Sequence, residues 1–576
     1  MPDSPPLRQV PHTVGSPTPP TTRTLSAKGT SLSNRRQLFA GSLALLTVNL
    51  LVFWPVLGFD FVRWDDDINI TRNPLLQAPW SWDLLRQLFG AEQALRFKPL
   101  YWLLCRAQSG VFGLSPGAWH ACSLALQAGS AVLGFLVLQE LLSRWRRDDS
   151  ASVWFAWLGA ALWSVHPLRA EVVGWATGET YSLATCWLLA ALLCYLQAQK
   201  KRGWPWLLAS WVLAAGSFSS YPIGLAFGLW LAGLDWWLNQ LALEADKPKP
   251  LAPVLPGLIR IGGFLLPATF ALVPTLWARY TTPGIFTQAP DLDSIGLPLR
   301  LLSAFANLGA LVRQFIWPSQ LTPNLPPLNL HGTTLLDLFG LAAIACLLIG
   351  WVLLQRREYP TLAFVVIGFA CLSVPCLGLT ERPNWPVDRY SYLVDWVLVG
   401  GLAGAMAALP GRLRWIAAGL GGAVLLVLAV ASRQQLSIWQ NSETLFRHME
   451  QHPRFADHPR QQAQVYILRA NAEGEAGHPD RAAAHFNRAR QICLSAIQRA
   501  LIRYDYQEAI SLLGQVERFF PLSPELRRER ASWQLQAGRP DLALPELTAL
   551  EPLLPADPRR RELESAARRV LAEAHP

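Results

Sequence analysis

The stretch FVRWDDDINITRNP, residues 61 to 74, places Asp65, Asp66 and Asp67 directly after Trp64, in a chain of which only 16% is charged. Adjacent carboxylates can take a proton from a hydroxyl or hold a cation. A second polar stretch, TERPNWPVDRYSYL at 380 to 393, supplies Arg382, Arg389, Tyr390 and Tyr392. Brought together at a bilayer surface, these carboxylates, guanidinium groups and phenols suit deprotonation of a hydroxyl beside a phosphate that must be neutralised. The competing reading of the triplet is an acidic run solvated at a membrane boundary. His166 precedes Pro167, a setting in which an imidazole more often caps or packs a helix end than reacts. Glu171 falls in or near an apolar span, where an ionisable side chain is a functional candidate by default.

The elements that must position these residues are membrane helices. The 576 residues are 51% hydrophobic, with 26 Trp, and apolar stretches near the roughly 20 residues needed to cross a bilayer recur from 37 to 431. Residues 1–36, rich in Pro, Ser and Thr, read as a disordered cytoplasmic tail before an uncleaved first helix. Basic loops at 35–36, 144–147, 200–202, 247–249, 356–357 and 411–414 fix the orientation if all are cytoplasmic. Helices at 37–58, 118–143, 153–167, 170–197, 204–219, 220–239, 259–278, 334–354, 361–379, 392–410 and 415–431 satisfy that parity. They give about 11 crossings, N-terminus inside and C-terminus outside. The apolar piece at 300–317 is then a partial or re-entrant outer helix carrying Arg313. The outer loop 59–117 holds the aspartates and SWDLLRQLFG, whose spacing suits an amphipathic surface helix. The other long outer segment, 279–333, is Pro-rich. The net charge of +10 is read as topology and solvated surface, and no nucleic acid is expected. The 8 cysteines show no ligand spacing, and all but Cys493 lie in or beside apolar segments, as small core residues do.

Beyond residue 433 the chain becomes polar and helical. Ala509, Leu513 and Pro521 recur as Ala543, Leu547 and Pro555 at a spacing of 34, and Ala531 takes a first-helix small position. Small, large apolar and Pro at that period resemble the tetratricopeptide repeat. An earlier unit, ANAEGEAGHPDRAAAHFNRA, has a similar pattern but lies out of phase. The alternative is an unrelated array of helical hairpins; either way the helices stack into a small solenoid whose concave face suits a peptide or protein partner.

Taken in order, several stretches resemble one family. WDDDINITRNP is similar to the first-loop signature of the C-type (GT-C) membrane glycosyltransferases that carry tetratricopeptide repeats, the transmembrane O-mannosyltransferase family and its bacterial relatives. By that likeness Asp65 and Asp66 are the family pair and Asn73-Pro74 closes the motif. RFKPLYWLL resembles a Tyr-Arg-Pro-Leu segment with Lys98 in place of Arg. GAWHACSL resembles a Tyr-His pair, HPLRAEVVGWATGE resembles His-Pro-x-x-x-Glu-x-Val, and DRYSYL resembles Glu-Arg-Tyr-x-Tyr-Leu. IWQNSETLF sits where the family enters its repeats. Two departures stand out: Thr177-Gly178-Glu179 where an Arg usually follows, and Ser219-Ser220-Tyr221-Pro222 where a Lys-Glu pair is expected.

The resemblance implies an all-α chain in three parts: a tail at 1–36, a GT-C-like transmembrane domain at 37–432, and a tetratricopeptide-like domain at 433–576. It implies transfer of a sugar from a polyprenyl-phosphate donor to a hydroxyl of a protein or glycan acceptor on the outer side of the membrane. Asp65 or Asp66 would act as base, the other holding a divalent ion (Mg or Mn) or the sugar hydroxyls. Lys98, Arg382 and Arg389 would hold the donor phosphate. Arg313 would reach the phosphate or serve as an interface anchor, and Tyr390 would belong to the aromatic belt or stack on the sugar. The expected location is a bacterial plasma membrane with the repeats outside, in the periplasm. Two rival readings are a non-catalytic scaffold whose repeats bind an envelope partner and a transporter for lipid-linked saccharides. The scarcity of charge deep in the spans counts against the transporter.

Overall fold

From Thr24 to Phe53 the sequence contains no proline, and the computed structural model forms one continuous helix there, α1. Pro55 then turns the chain into a short 3-10 segment, Trp54–Gly58. The structure describes residues 24–90, 97–146, 151–201, 203–244, 259–281, 296–323, 333–379, 387–456, 458–517 and 520–574. The tail expected to be disordered to residue 36 is helical from Thr24, since extending a formed helix adds one hydrogen bond for each residue fixed. Residues 1–23 of that tail lie outside the described residues.

All regular elements among the described residues are helices. After α1 come α2 (Trp82–Leu88), α3 (Pro99–Phe112), α4 (Pro116–Trp145), α5 (Ser152–Ser164), α6 (Ala170–Gly174), α7 (Glu179–Lys201), α8 (Trp204–Ser220) and α9 (Phe227–Glu244). They are followed by α10 (Leu265–Thr281), α11 (Leu297–Ile316), α12 (Thr333–Leu354), α13 (Pro360–Ser373), α14 (Ser391–Ala408) and α15 (Leu413–Leu436). Among the described residues, six helical stretches are long and apolar enough to cross a membrane: Arg35–Gly58, Pro116–Trp145, Ala176–Lys200, Ile259–Trp277, Asp388–Ala408 and Leu413–Trp439. Some of the other expected crossings are shorter helices. The 13 residues of α5 rise only about 20 Å.

One expected helix is corrected. The run 170–197 is not continuous: α6 ends at Gly174, Trp175 is extended, a 3-10 turn covers Ala176–Gly178, and α7 begins at Glu179. The stretch 59–117, expected as an outer loop, also holds more structure than expected. Ser81 caps α2, its hydroxyl accepting from the Leu84 N–H at 3.1 Å, and α3 follows as a second, longer helix.

Helix α4 lies at the centre, packed on α1, α5 and α7, while α14 packs on α5. Small residues permit the close approach. A Cβ at Gly134 would lie 2.8 Å from the Trp396 indole nitrogen, and one at Gly159 would lie 2.9 Å from Ala403, the kind of contact that membrane helices use in place of a hydrophobic drive. Buried polar groups then fix the register. Asn49 donates to the Ser164 hydroxyl at 3.1 Å, Gln127 donates to the Ser164 carbonyl at 2.7 Å, and the Tyr392 hydroxyl donates to Gln127. Arg169, wholly buried, pairs with Asp395 at 2.6 Å and donates to the Ser391 hydroxyl and the Tyr392 carbonyl.

The C-terminal helices are α16 (Ser442–Gln451), α17 (Pro453–Ala456), α18 (Pro459–Glu475), α19 (Pro479–Ile502), α20 (Tyr506–Glu517), α21 (Pro524–Gln536), α22 (Pro540–Ala549) and α23 (Pro558–Ala574). From α18 onward each packs on the next. The periodic positions Ala509, Leu513, Ala531, Ala543 and Leu547 are all fully buried. The early unit is out of phase because α19 runs 24 residues against 12 for α20.

Asp395→Leu alone leaves the Arg169 guanidinium buried and unbalanced, and is expected to cost about 3–5 kcal/mol. Combined with Arg169→Met, most of that loss should return. Unfolding midpoints of the detergent-solubilised variants make the comparison.

Candidate active site

The chain leaves α1 through Phe59 and reaches the aspartates with its backbone tied on both sides. Ahead of them, the Arg63 N–H donates to the Ser442 hydroxyl at 2.8 Å, and the Asp60 N–H donates to the Gln440 carbonyl at 3.0 Å. Opposite, the Trp175 indole N–H donates to the Trp64 carbonyl at 2.6 Å. Asp66 completes the clamp. Its Oδ2 accepts from the Val62 N–H at 3.0 Å, and its Oδ1 accepts from the Thr177 N–H at 2.9 Å and the Thr177 hydroxyl at 2.7 Å. Between these ties Asp65 is exposed, at φ +69°. A non-glycine residue in that region carries strain that its surroundings must hold, a frequent feature of functional sites. Asp67 pairs with Arg63 at 3.7 Å. Asn73 ends the loop by accepting from the Leu75 N–H at 3.1 Å and donating to the Asn69 carbonyl at 3.2 Å, so Asn73-Pro74 is a capped turn.

Asp66 has no exposure to solvent, and burial raises its pKa to about 7 against the opposing pull of its hydrogen bonds from Thr177 and Val62. The adjacent triplet therefore contains three unlike groups: an exposed carboxylate, a sealed one and an ion-paired one.

Behind Trp175 lies the second part of the site. Arg389 Nη1 donates to Glu171 Oε1 at 2.6 Å and to the Pro323 carbonyl at 2.9 Å. Its backbone N–H reaches Glu171 Oε2 at 2.8 Å, and its Nε reaches the Tyr181 hydroxyl at 3.2 Å. The guanidinium stacks on Trp175 at 5.4 Å and on Tyr390 at 5.6 Å. The Tyr181 hydroxyl in turn donates to that of Tyr221 at 3.0 Å. Glu171 is buried, Arg389 is 17% exposed by its side chain, and Arg389 Nη2 makes no hydrogen bond among the described residues.

Lys98 stands at the N-cap of α3, its side chain making no capping hydrogen bond and not reaching outward to water. It is 6% exposed, its ammonium over the rings of Tyr101 at 4.6 Å and Trp102 at 4.5 Å. Burial, followed by Cys105, Glu179 and Asp66, raises the Tyr101 phenol well above its usual range, which ties this corner to the Asp66 clamp. Glu179 is buried, and both its oxygens lie 2.8 Å from the Gln108 amide nitrogen.

The structure thus gathers Asp66, Glu171, Arg389 and Tyr390 around Trp175 and Thr177, with Asp65 exposed beside Asp66 in the chain and Lys98 linked through Tyr101. Two candidates stand apart from this group. The His166 ring is committed to the backbone: Nδ1 accepts from the Leu168 N–H at 3.3 Å, so Nε2 carries the proton and donates to the Phe315 carbonyl at 3.0 Å. It is a cap, as its place before Pro167 allowed. Arg313 is exposed on α11 and makes no ion pair with the site among the described residues. Arg382 lies outside the described residues. The donor set also does not fit a divalent ion at Asp65 and Asp66. Asp66 spends three acceptor positions on protein donors, and among the described residues no three or more His, Cys, Asp and Glu side chains are placed to share a metal.

The reading of the sequence missed Thr177, Trp175, Tyr181, Gln108 and Arg169. Thr177 had a signal, since it begins the triplet that stands where the resembled family carries an Arg. Comparison with family models, with curated proteins and with solved structures finds no match for this chain.

The raised pKa of Asp66 has a sign that can be checked. Below pH 3.8 folded and unfolded chains both hold the proton. Between there and about pH 7 only the folded chain does, so stability falls as pH rises through this window and levels off above it. The change is on the order of 4 kcal/mol. Thermal midpoints should fall from pH 5 to pH 8, and Asp66→Asn should flatten that slope.

Proposed function

We propose that the protein is an integral-membrane glycosyltransferase of GT-C type, with about 11 crossings and a tetratricopeptide-like domain facing outward from a bacterial plasma membrane. It moves a sugar, mannose or a similar hexose, from a polyprenyl-phosphate donor to a hydroxyl of a protein or glycan. The observation that supports this most is the contrast within the aspartate pair. Asp65 is open to solvent and held at φ +69°, whereas Asp66 is sealed against Thr177.

On this reading Asp65 is the base and Asp66 positions it. Asp65 takes the acceptor's hydroxyl proton as the oxygen forms its bond to the anomeric carbon. The bond from that carbon to the phosphate oxygen breaks, and its electron pair leaves with the lipid phosphate. A phosphate leaves readily once its charge is met, so cations matter more than a proton donor. The free edge of Arg389 offers hydrogen bonds to phosphate oxygens, and Lys98 adds a fixed positive charge. Glu171 and Trp175 hold Arg389 in place. The scaffold reading draws on a different observation: Glu171 already balances Arg389.

Membranes containing wild-type protein and a polyprenyl-phosphate-hexose pool should label an acceptor. Asp65→Asn should lower the rate by about 10²–10⁴, the usual contribution of a general base, while protein abundance stays unchanged. Arg389→Lys should retain the charge but lose the Nη2 contact, raising the donor KM. Equal labelling by wild type and Asp65→Asn would favour the scaffold.

A further inference from the structure

Helices α1 and α15 pack on each other, and each belongs to a stretch long and apolar enough to cross a membrane. At the end that leads into the aspartate loop they enclose a solvent-open pocket of about 450 Å3, whose lining includes Trp54, Gly58, Phe59, Arg433, Ser437 and Gln440. That volume falls within the roughly 300–1,000 Å3 of ligand pockets. Among the described residues Arg433 is the one charged group in the lining; Asp60, next to Phe59, lines a separate cleft toward α18. The guanidinium is held from one side. Pro55 has no N–H to offer the Leu51 carbonyl four residues before it, and Arg433 Nη1 donates there instead at 2.9 Å and to the Val52 carbonyl at 3.2 Å. It also lies over the exposed Trp54 ring at 5.3 Å. Arg433 Nε and Nη2 make no hydrogen bond among the described residues. A cation beside an exposed Trp at the end of an apolar span belongs at headgroup depth. Below it the surface is apolar. Leu426 and Val430, seven and three residues before Arg433, share its helix face, and Leu50 and Leu51 stand one turn before Trp54; all four are exposed.

We infer that this pocket binds the phosphate of a glycerophospholipid whose only charge is that phosphate, as in phosphatidylglycerol, with the acyl chains lying along Leu50, Leu51, Leu426 and Val430. Arg433 Nε and Nη2 form one edge of the planar guanidinium, and two parallel N–H groups on such an edge match two phosphate oxygens. A zwitterionic headgroup would bring an ammonium as well, and no carboxylate lines the pocket to receive it. The hydroxyls of an uncharged headgroup meet Ser437 and Gln440 instead. The bound lipid touches α1 and α15 together, beside the bond from the Asp60 N–H to the Gln440 carbonyl that begins the aspartate loop. It acts there as a staple between the two helices. The pocket shares no residue with the Asp66 clamp or the Arg389 cluster, so the inference stands apart from the glycosyltransferase reading.

The test offers the full chain, in non-ionic detergent, equal amounts of phosphatidylglycerol and phosphatidylethanolamine with matched acyl chains. Lipid that stays bound is then released and weighed by native mass spectrometry. Phosphatidylglycerol is expected to be retained at least about tenfold over phosphatidylethanolamine, the worth of one hydrogen-bonded charge contact, and to raise the unfolding midpoint. Two substitutions should each remove that preference and that rise. Arg433→Gln keeps an N–H donor for the Leu51 carbonyl but discards the charge. Gly58→Leu leaves Arg433 and its ties untouched and fills the pocket, since Gly58 is outside the left-handed region and a Cβ there meets nothing within 4 Å; it carries the test if Arg433→Gln does not fold. Equal retention of the two lipids, or undiminished preference in both variants, would overturn the inference. Inorganic phosphate alone is expected to leave the midpoint unchanged. An Arg433-dependent rise with phosphate alone would make the pocket a site for a free anion, and displacement of phosphatidylglycerol by an equal amount of polyprenyl phosphate would make it a site for the donor lipid; either result overturns the proposal.

Discussion

Taking a carboxylate out of water without a cation is costly, and Asp66 is held by neutral donors alone. Those donors come from two places: the Val62 N–H just before it and Thr177 more than a hundred residues later. The rest of the site follows from satisfying that one group. Thr177 can offer both its N–H and its hydroxyl only because the chain from His166 to Gly178 is not a continuous helix. Its short turns are in turn anchored by the His166 cap and by Arg169 reaching α14. Asp65 keeps its left-handed backbone because its neighbours cannot move. The same broken segment supplies Glu171 and Trp175, which place Arg389.

Most helices were legible, for local reasons. Apolar runs flanked by Pro116, Trp204-Pro205 or Ser391 begin and end close to where those residues suggest, because backbone hydrogen bonding in a bilayer leaves few alternatives to a helix. The break between Ala170 and Glu179 was not legible. AEVVGWATG contains no proline; Gly174 and Gly178 weaken a helix there, but the contacts that hold the break, Trp175 to residue 64 and Thr177 to residue 66, are not encoded locally. In the same way Arg169 looked like any residue of a short motif, because its partner Asp395 is 226 positions away. The pair Asp65 and Asp66 was visible as a pair, but their division into an open group and a sealed one depends on burial. His166 carried its correct description in the proline that follows it.

The junction with the C-terminal helices is as much a part of the site as the membrane core. Arg63 donates from its backbone to Ser442, reaches the Asn471 carbonyl at 3.3 Å and pairs with Glu475, and Arg72 meets the same glutamate. A loop that is tied at both ends to different parts of the chain loses little further entropy when a ligand arrives. The clamp on Asp66 and the ties on Arg63 therefore act together as preorganisation of the residue between them.

The Arg169–Asp395 pair also sets a constraint in time. Ribosomes add roughly 5–20 residues each second, so Arg169 is made some 10 to 45 seconds before the carboxylate that will balance it. A bare guanidinium is poorly tolerated in hydrocarbon. Until α14 has been made, the segment from His166 to Gly178 therefore carries a cation without the carboxylate that balances it in the finished fold, and the bonds of Arg169 to Ser391, Tyr392 and Asp395 cannot form earlier.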